Sequence, residues 1–590
     1  MRAQRKRSIT FPVLCFLLIH LSFPSLSWAE IGGSPLSQED QIIHLLNRLG
    51  FGPRPGDVEK VTKMGIQAYI ERQLHPRTVS DAVVERKLAA FETLTMSPKE
   101  LNELYPSARQ MRRLSDRSES TDTARTDRRR PATPDREKES SPEAMSPDEA
   151  EEVIQKIQKG TRRIRQELSQ ARLIRAVDSE RQLQEVMVDF WMNHFNIFMP
   201  KGLDRVYTTD FEENVIRPQV FGNFEDLLMA TAKSPAMLFY LDNWISSAPA
   251  EVMEERISQL RSAFGGGSGP RQRGNRMTRR QRAMIEERFQ GARRVLGRAK
   301  GLNENYAREL MELHTLGVDG GYTQEDVIQV ARALTGWTIQ GPQQGGGFHF
   351  QPVLHEAGDK TVLGHHLASG GIEEGEQIIR ILAHHPSTAR FISSKLVRRF
   401  VADDPPDELV DAASQTFLRT GGDIREVLKS IFNHPLFFSP VYHQAKVKKP
   451  LELVASSLRS VSAQVSPTRH LVNFMALMGE ALYLCQAPTG FPDVASAWIN
   501  TNTLLTRLNF SLVLASSRIP QVRIDLDSAA PLFAQLRLPQ PTEEQLEQTR
   551  ALLNEASVDD SRPGRGRQIP LSHPVIQAAF MLGSPKFQKR

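Results

Sequence analysis

Hydrophobic residues recur three and four positions apart along most of this chain, which is the spacing that places side chains on one face of an α-helix. Ser37 precedes one such run, where its hydroxyl could cap the first turn, and Gly50 follows the run. The stretch 323–326 resembles a capping box and opens another run. The same spacing predicts further helices over residues 149–177, 180–198, 374–383, 387–401, 407–419, 424–432, 451–462 and 471–484.

Strand patterns are scarce. Phe348 and Phe350 flank a polar residue, and residues 361–363 follow after a polar turn, which predicts one small β-hairpin between these two stretches. The sequence therefore predicts a mainly α fold, a multi-helix globular and bundle-like architecture with one small β-hairpin and two disordered insertions.

The two insertions differ from the rest of the chain in composition. Residues 105–148 are rich in Arg, Ser, Asp, Glu, Thr and Pro and contain almost no large apolar side chains, which is typical of disorder. Residues 256–300 carry thirteen Lys and Arg against two Glu and include a Gly/Ser linker at 265–270. Both stretches fit solvated surface insertions in a folded domain.

A sharper interpretation concerns the basic arm at 271–282. This arm is a candidate for binding an anionic cell-envelope polymer or lipid headgroups. We do not expect nucleic acid as the partner, since the arm lacks the interleaved aromatic residues of a base-stacking surface. Its candidate binding residues are Arg271, Arg273, Arg276, Arg279, Arg280 and Arg282.

The first 29 residues have the pattern of a secretory signal peptide. A basic start precedes an apolar stretch at 11–23 and small residues at Ser27 and Ala29. We expect cleavage after Ala29 and an exported protein, periplasmic or extracellular; an uncleaved anchor is the alternative. No other apolar run approaches the roughly 20 residues that span a bilayer. With Cys15 and Cys485 as the two cysteines, a disulfide scaffold is excluded.

The sequence contains no phosphate-binding loop, dinucleotide fingerprint, zinc-protease motif or nucleophile elbow. Three unusual clusters remain, of which the first lies in residues 303–314. Helical spacing puts Glu304, Arg308, Glu309 and Glu312 on one face. That face is either solvated and held by weak pairs, or a functional cluster. In the second case Glu309 and Glu312 bind metal, or act as acid and base tuned by Arg308.

The second cluster lies in the helix predicted at 180–198, which is apolar nearly all round. Asp189, Asn193 and Asn196 form a polar stripe within it, and His194 lies beside that stripe. Because buried polar groups need partners, the stripe either joins helices or lines a site. Asp189 and His194 are therefore candidate catalytic residues.

The third cluster is rich in histidine, since residues 347–386 hold six of the 15 histidines. His355 and Asp359, together with Glu309 and Glu312, are candidate ligands for a divalent metal. A polar loop that is rich in histidine by chance is the alternative. The sequence names no other cofactor.

Several segments of the chain resemble the bacterial domain-of-unknown-function 1800 family, in the family's order from about residue 40 to residue 517. Phe491 departs from the usual pattern, in which Trp is commoner. The matching motifs are HLLNRLGFG at 44–52, FWMNHF at 190–195, the stretch 303–317, YT at 322–323, ARALTGW at 331–337, HEAGDKTVLG at 355–364, Phe391, Lys395-Leu396, Arg399-Phe400, KPLE at 449–452, and PTGFP at 488–492 with Trp498 and Arg507.

The resemblance implies a mostly helical, generally exported bacterial protein without an established activity. Such proteins are often encoded beside another exported protein of unknown function, which is therefore an expected partner. The leading hypothesis is a cell-envelope or secretion-associated binding protein. The alternative is a metal-assisted hydrolase or another enzyme that uses a Glu/His/Asp cluster.

The predicted organisation has seven segments. They are a signal peptide (1–29), an N-terminal helical segment of the family domain (30–104), a disordered charged insertion (105–148), central helices (149–255), a basic Gly/Arg-rich insertion (256–300), a main helical core with the small hairpin (301–517) and a C-terminal extension (518–590).

Overall fold

The structure, a computed structural model, describes residues 34–105, 147–264, 301–341, 345–466, 468–558 and 573–590. The predicted signal peptide, most of both insertions and all six arginines of the basic arm lie outside these ranges. Among the helices in these ranges, none combines the length and the apolar composition that a membrane span requires.

The first half of the described chain is helical, with short turns between the helices. The helices are α1 Gln38–Arg48, α2 Asp57–Met64, α3 Ile66–Leu74, α4 Ala82–Leu88, α5 Pro98–Leu104, α6 Pro147–Asp178, α7 Gln182–His194, α8 Asp204–Asp210, α9 Arg217–Gln219, α10 Phe224–Ala232, α11 Pro235–Tyr240 and α12 Ala250–Phe264.

The second half continues in the same way. Its helices are α13 Glu304–Met311, α14 Gln324–Ala333, α15 Ile372–Ala383, α16 Pro386–Phe400, α17 Asp407–Thr420, α18 Ile424–Asn433, α19 Pro450–Ser460, α20 Arg469–Leu477, α21 Thr501–Ala515, α22 Leu526–Gln535, α23 Glu543–Val558 and α24 His573–Gly583. The prediction of a mainly α fold is confirmed.

Two predicted helix starts also agree with the structure. The Ser37 hydroxyl accepts a hydrogen bond from the backbone N–H of Asp40 at 3.1 Å, which caps α1. Thr323 and Asp326 form a reciprocal capping box at the start of α14. Capping side chains satisfy backbone N–H groups that have no partner inside the helix, so these two positions fix where each helix begins.

The β structure differs from the single hairpin predicted. Phe348–Phe350 (β2) pairs with Trp337–Ile339 (β1), and Lys360–Val362 (β3) pairs with His365–Leu367 (β4), both antiparallel. The predicted pairing of 348–350 with 361–363 is therefore wrong, because each stretch has a nearer partner across its own turn. A third small sheet joins Gln464–Val465 (β5) to Val522–Arg523 (β6).

A main hydrophobic core runs through most of the described chain, from Ile42 in α1 to Phe587 after α24, with two small clusters beside it. Helix α7 runs through this core, with Trp191 fully buried and Leu183 likewise. A helix that is buried nearly all round must also bury its polar side chains, so each of them needs a partner. The polar residues of α7 therefore determine what lies around it.

Candidate functional site

A cavity of about 250 Å³ lies where α7, α16, the start of α19 and the loop at 489–494 meet. Two helices and the loop supply most of its lining, and Lys449 adds the residue that precedes α19. The lining residues are Phe190, Asn193 and His194 from α7, Lys395, Arg398 and Arg399 from α16, Lys449 before α19, and Thr489, Phe491, Pro492, Asp493 and Val494 from the loop.

The loop is fixed to α7 by two hydrogen bonds of one side chain. The Asn193 amide donates to the Phe491 carbonyl at 2.8 Å and accepts from the Phe491 backbone N–H at 2.7 Å. Gly490 makes this approach possible, since its φ is +71° and a Cβ there would lie 2.2 Å from the Asn193 carbonyl oxygen. The cavity wall therefore depends on a glycine at 490 and an asparagine at 193.

The polar stripe predicted on α7 mainly joins segments. Asn196 donates to the carbonyls of Cys485 and Ala487 at 3.0 and 2.8 Å, so it holds the start of the same loop. Asp189 accepts from Lys449 at 2.8 Å. His194, which lies beside the stripe, lines the cavity.

His194 is a neutral imidazole with one free nitrogen. Its Nε2–H donates to the His314 carbonyl at 3.1 Å, and its buried Nδ1 has no partner among the described residues. Burial, with the nearby positive charge of Lys395, holds the pKa of His194 well below its ordinary value. The side chain can therefore accept a hydrogen bond at Nδ1. His314 beside it is also buried, and burial lowers its pKa to about 3.

Lys395 is the least paired cation of the cavity. Its ammonium lies 5.2 Å from the centre of the Phe391 ring, and in the described part of the chain it makes neither a hydrogen bond nor an ion pair. Burial, with the charge of Arg398, lowers the pKa of Lys395 to about 8. Arg398, half-buried, donates to the Asp403 carbonyl at 3.1 Å and has no carboxylate within ion-pair distance among the residues described.

Asp493, the carboxylate of the cavity wall, pairs with a cation other than Lys395 and Arg398. Asp493 forms an ion pair with Lys446 at 3.3 Å. Burial alone would raise the pKa of Asp493, but Lys446 and Arg399 hold it below its ordinary value. Asp493 is thus ionised and pairs with Lys446, so among the described residues Lys395 and Arg398 have no carboxylate within ion-pair distance.

Behind the cavity lies a buried ion-pair network in which every charge has a partner. Lys449 contacts Asp189 at 2.8 Å and Glu480 at 3.7 Å, while Arg172 lies 3.8 Å from Asp189. Burial would lower the pKa of Lys449, but Asp189 and Glu480 raise it above its ordinary value. This lysine is therefore a fixed charge.

The network continues through Glu452 on α19. Arg399 and Arg590 both pair with this carboxylate, Arg590 at 3.2 Å, and the Lys449 backbone N–H donates to it at 2.9 Å. Arg590 also donates to the Arg399 carbonyl at 3.0 Å. Residues of the cavity wall are thereby tied to the last residues of the chain.

The first sequence cluster lies elsewhere. Arg308, with a side chain 41% exposed, donates to Gln324 at 2.7 Å and lies 3.8 Å from Glu304. Glu312 accepts from the Tyr322 hydroxyl at 3.2 Å. Burial, then the charge of Glu312, raises the pKa of Glu309. In the part of the chain that the structure describes, Arg308, Glu309 and Glu312 are not among the residues that line the cavity.

The third cluster is also used internally. His355 is buried; its Nδ1–H donates to the Thr335 carbonyl at 2.9 Å, and its Nε2 lies 3.3 Å from Glu374. Asp359 accepts from the Ser369 backbone N–H at 3.0 Å. Within the described residues no group of three or more His, Cys, Asp or Glu side chains could hold a metal ion, so the four candidate ligands do not form one site there.

Reasoning from the sequence missed the cations of the cavity. Lys395 and Arg398 both lie in the helix predicted at 387–401, where the family resemblance names Lys395 and nothing in the sequence singled out Arg398. One signal was present, because Lys395 shares a helix with Ile392, Leu396 and other core residues. A charged side chain near such positions is unusual and indicates either a buried pair or a site.

Comparison with known proteins gives one match. The family model described as "Protein of unknown function (DUF1800)" matches residues 44–589, nearly the whole chain. Searches of the curated proteins and of the solved structures gave no match.

Proposed function

This chain belongs to the DUF1800 family of unknown function, and we propose that it is an exported binding protein for a small anionic compound. One observation carries the proposal. Lys395 and Arg398 line a partly open cavity and have no carboxylate within ion-pair distance among the described residues. Because a desolvated cation is unfavourable without a partner, such a pair favours a ligand that brings negative charge.

The walls also limit the rest of the ligand. Phe190, Phe491, Pro492 and Val494 supply the apolar part of the lining. The volume of about 250 Å³ is at the small end for ligand pockets. A carboxylate attached to a short apolar or aromatic group fits this chemistry, and Arg398 can hold a carboxylate through two N–H donors.

Export is the second part of the proposal, and it is supported by the sequence of residues 1–29. N-terminal sequencing of the protein from the extracytoplasmic fraction should begin at Glu30. A chain found in the cytoplasm with Met1 retained would contradict it. Outside the cell, the basic arm at 271–282 would be available to anionic envelope polymers or lipid headgroups, and a neighbouring exported protein remains an expected partner.

Calorimetric titration of the mature protein tests the binding proposal. Benzoate supplies a carboxylate on an aromatic ring, and benzyl alcohol has a similar shape without the charge. We expect benzoate to bind at micromolar to millimolar concentration, with at least about tenfold weaker binding by Lys395→Met and by Arg398→Gln, because each loses one charge-assisted contact.

Arg390→Gln is the matched control. Arg390 lies on the same helix, but its side chain is 54% exposed and pairs with Asp407 and Asp411. This variant should bind benzoate as the parent does. Equal affinity for benzyl alcohol, unchanged affinity in both cavity variants, or no binding of benzoate would each overturn the proposal.

A further inference from the structure

The lysines around the cavity differ in what their ammonium groups contact. Lys449 pairs with Asp189, and Lys446 pairs with Asp403 at 2.6 Å. Lys448 donates to the Ser456 hydroxyl at 2.8 Å. Lys395, by contrast, has the ring of Phe391 as its neighbour and makes no hydrogen bond within the described ranges. Of these four amines, Lys395 is the one that holds no oxygen partner and opens into a cavity.

From this arrangement we propose that Lys395 is a nucleophilic amine that forms a Schiff base with a small 2-oxo acid in the cavity. The proposal rests on the anion site described above, and it names the ligand class. A 2-oxo acid carries its carbonyl next to its carboxylate. Arg398 lies one helical turn from Lys395 on α16, so carboxylate and carbonyl would each meet a suitable side chain.

The reaction needs no reagent beyond the two partners. The neutral Nζ of Lys395 attacks the carbonyl carbon, an N–C bond forms, and the π electron pair moves to the oxygen. Two protons pass from the nitrogen to that oxygen, which leaves as water, and a C=N bond remains. His194 lines the same cavity, and its Nδ1, which has no partner among the described residues, can accept a hydrogen bond that orients the attacking amine.

The environment of Lys395 favours the neutral amine. Burial and the adjacent charge of Arg398 lower its pKa to about 8, so part of the population is unprotonated near neutral pH. Lys448 provides a comparison, because burial also lowers its pKa, to about 7. Its amine, however, is hydrogen-bonded to Ser456 and does not line this cavity. If the pKa alone determined reactivity, Lys448 would be the lysine modified. If access to the cavity determines it, Lys395 is the lysine modified.

Borohydride trapping separates these outcomes. Mature protein is incubated with pyruvate or phenylpyruvate, reduced with borohydride and mapped by peptide mass spectrometry. We expect the reduced adduct at Lys395 at least tenfold above any other lysine, its loss in Lys395→Arg, and a several-fold lower yield in Arg398→Gln. The yield at a short fixed time should rise as pH increases from 7 to 9.

Three outcomes would overturn the proposal: an adduct at Lys448, labelling spread over exposed lysines such as Lys429, or no adduct at all. Benzoate titration of the parent protein separates this proposal from the binding proposal. If the parent gives no adduct but binds benzoate, the Schiff base is removed and the binding proposal stands. If the parent gives no adduct and does not bind benzoate, both proposals are removed.

Discussion

Two groups of cations lie side by side in this protein, one buried and paired with carboxylates, the other half-buried at the cavity. Arg399, Lys449 and Arg590 each contact a carboxylate of the buried network, from Asp189 to Glu452. Lys395 and Arg398, on the same helix as Arg399, have no such partner among the described residues. The difference is not one of residue type or local sequence, since both groups include members of α16.

The contrast separates cations that hold the fold from cations available to a ligand. Burying a charge is unfavourable, and a carboxylate with good geometry offsets much of that penalty. The network meets this condition with ion pairs between α7, α19 and the end of the chain. Among the described residues the cavity cations have no such carboxylate, which is why we propose an external anion as their partner. Breaking the network should therefore destabilise the protein, whereas neutralising the cavity should not.

The largest effect should come from Glu452→Gln. This change leaves Arg399 and Arg590 buried with an amide in place of their carboxylate. We expect a loss of about 3–5 kcal/mol in the free energy of unfolding, measured by urea denaturation at pH 7. Asp407→Asn, which breaks an ion pair whose carboxylate is 85% exposed, should lose less than about 1 kcal/mol.

The same variant has a pH signature. Burial would raise the pKa of Glu452, but Arg399 and Arg590 hold it well below its ordinary value. A carboxyl with a depressed pKa stabilises the fold above its unfolded pKa of about 4.3, and that stability is lost as pH falls. The difference between parent and Glu452→Gln should therefore shrink below about pH 4. A constant difference from pH 7 to pH 3 would contradict the ion-pair explanation.

Gly490→Ala should destabilise the protein less than Glu452→Gln. The added Cβ meets the Asn193 carbonyl, and the positive φ is itself unfavourable for alanine. We therefore expect the free energy of unfolding to fall by about 1–3 kcal/mol and benzoate to bind more weakly. Gly65→Ala is the control, because Gly65 has a φ of +87° with no atom within 4 Å of a Cβ. Equal losses in the two variants would show that the contact between the loop and α7 is unimportant.

Part of this contrast was predictable from the sequence. Helical spacing predicted α7 and α16, and an apolar helix with Asp189, Asn193 and Asn196 on one stripe required partners for all three. The identity of those partners was not predictable, since Asp189 meets Lys449 across 260 residues and Asn193 meets Phe491 across 298. Whether a lysine on α16 is paired depends on such distant contacts.

Lys395→Met, unlike the variants above, should stabilise the protein. Removing a half-buried cation that has no ion-pair partner among the described residues should raise the free energy of unfolding at pH 7 by about 0.5–2 kcal/mol while benzoate binding falls. The pKa of Lys395 is lowered to about 8 in the fold and is about 10.4 in the unfolded chain. The cost of keeping Lys395 charged in the fold is therefore full below pH 8 and fades towards pH 10.4. The stability gained by Lys395→Met should have the same pH dependence. A loss of stability at pH 7 would mean that Lys395 has a structural partner.

The smallest effect should come from Glu309→Gln, which extends the comparison to the charged face of α13. Burial and the neighbouring Glu312 raise the pKa of Glu309, so its ionised form is disfavoured in the fold and stability falls as pH rises through that pKa. Neutralising it removes a like-charge pair without isolating Arg308, whose exposed side chain keeps Gln324 and Glu304. We expect a gain of a few tenths of a kcal/mol, about 0.2–0.5, at pH 7 by thermal and urea unfolding. Glu312→Gln is the matched control. It removes the same repulsion but weakens the acceptor of the Tyr322 hydroxyl, so its free energy of unfolding should rise less.

The functional hypothesis for this face predicts the reverse for the double variant Glu309→Gln, Glu312→Gln. That variant should lose about 3–5 kcal/mol in the free energy of unfolding, or lose bound metal measured by elemental analysis. Either result would restore Glu309 and Glu312 as the leading site and would show that partial exposure is a poor guide to function on this helix.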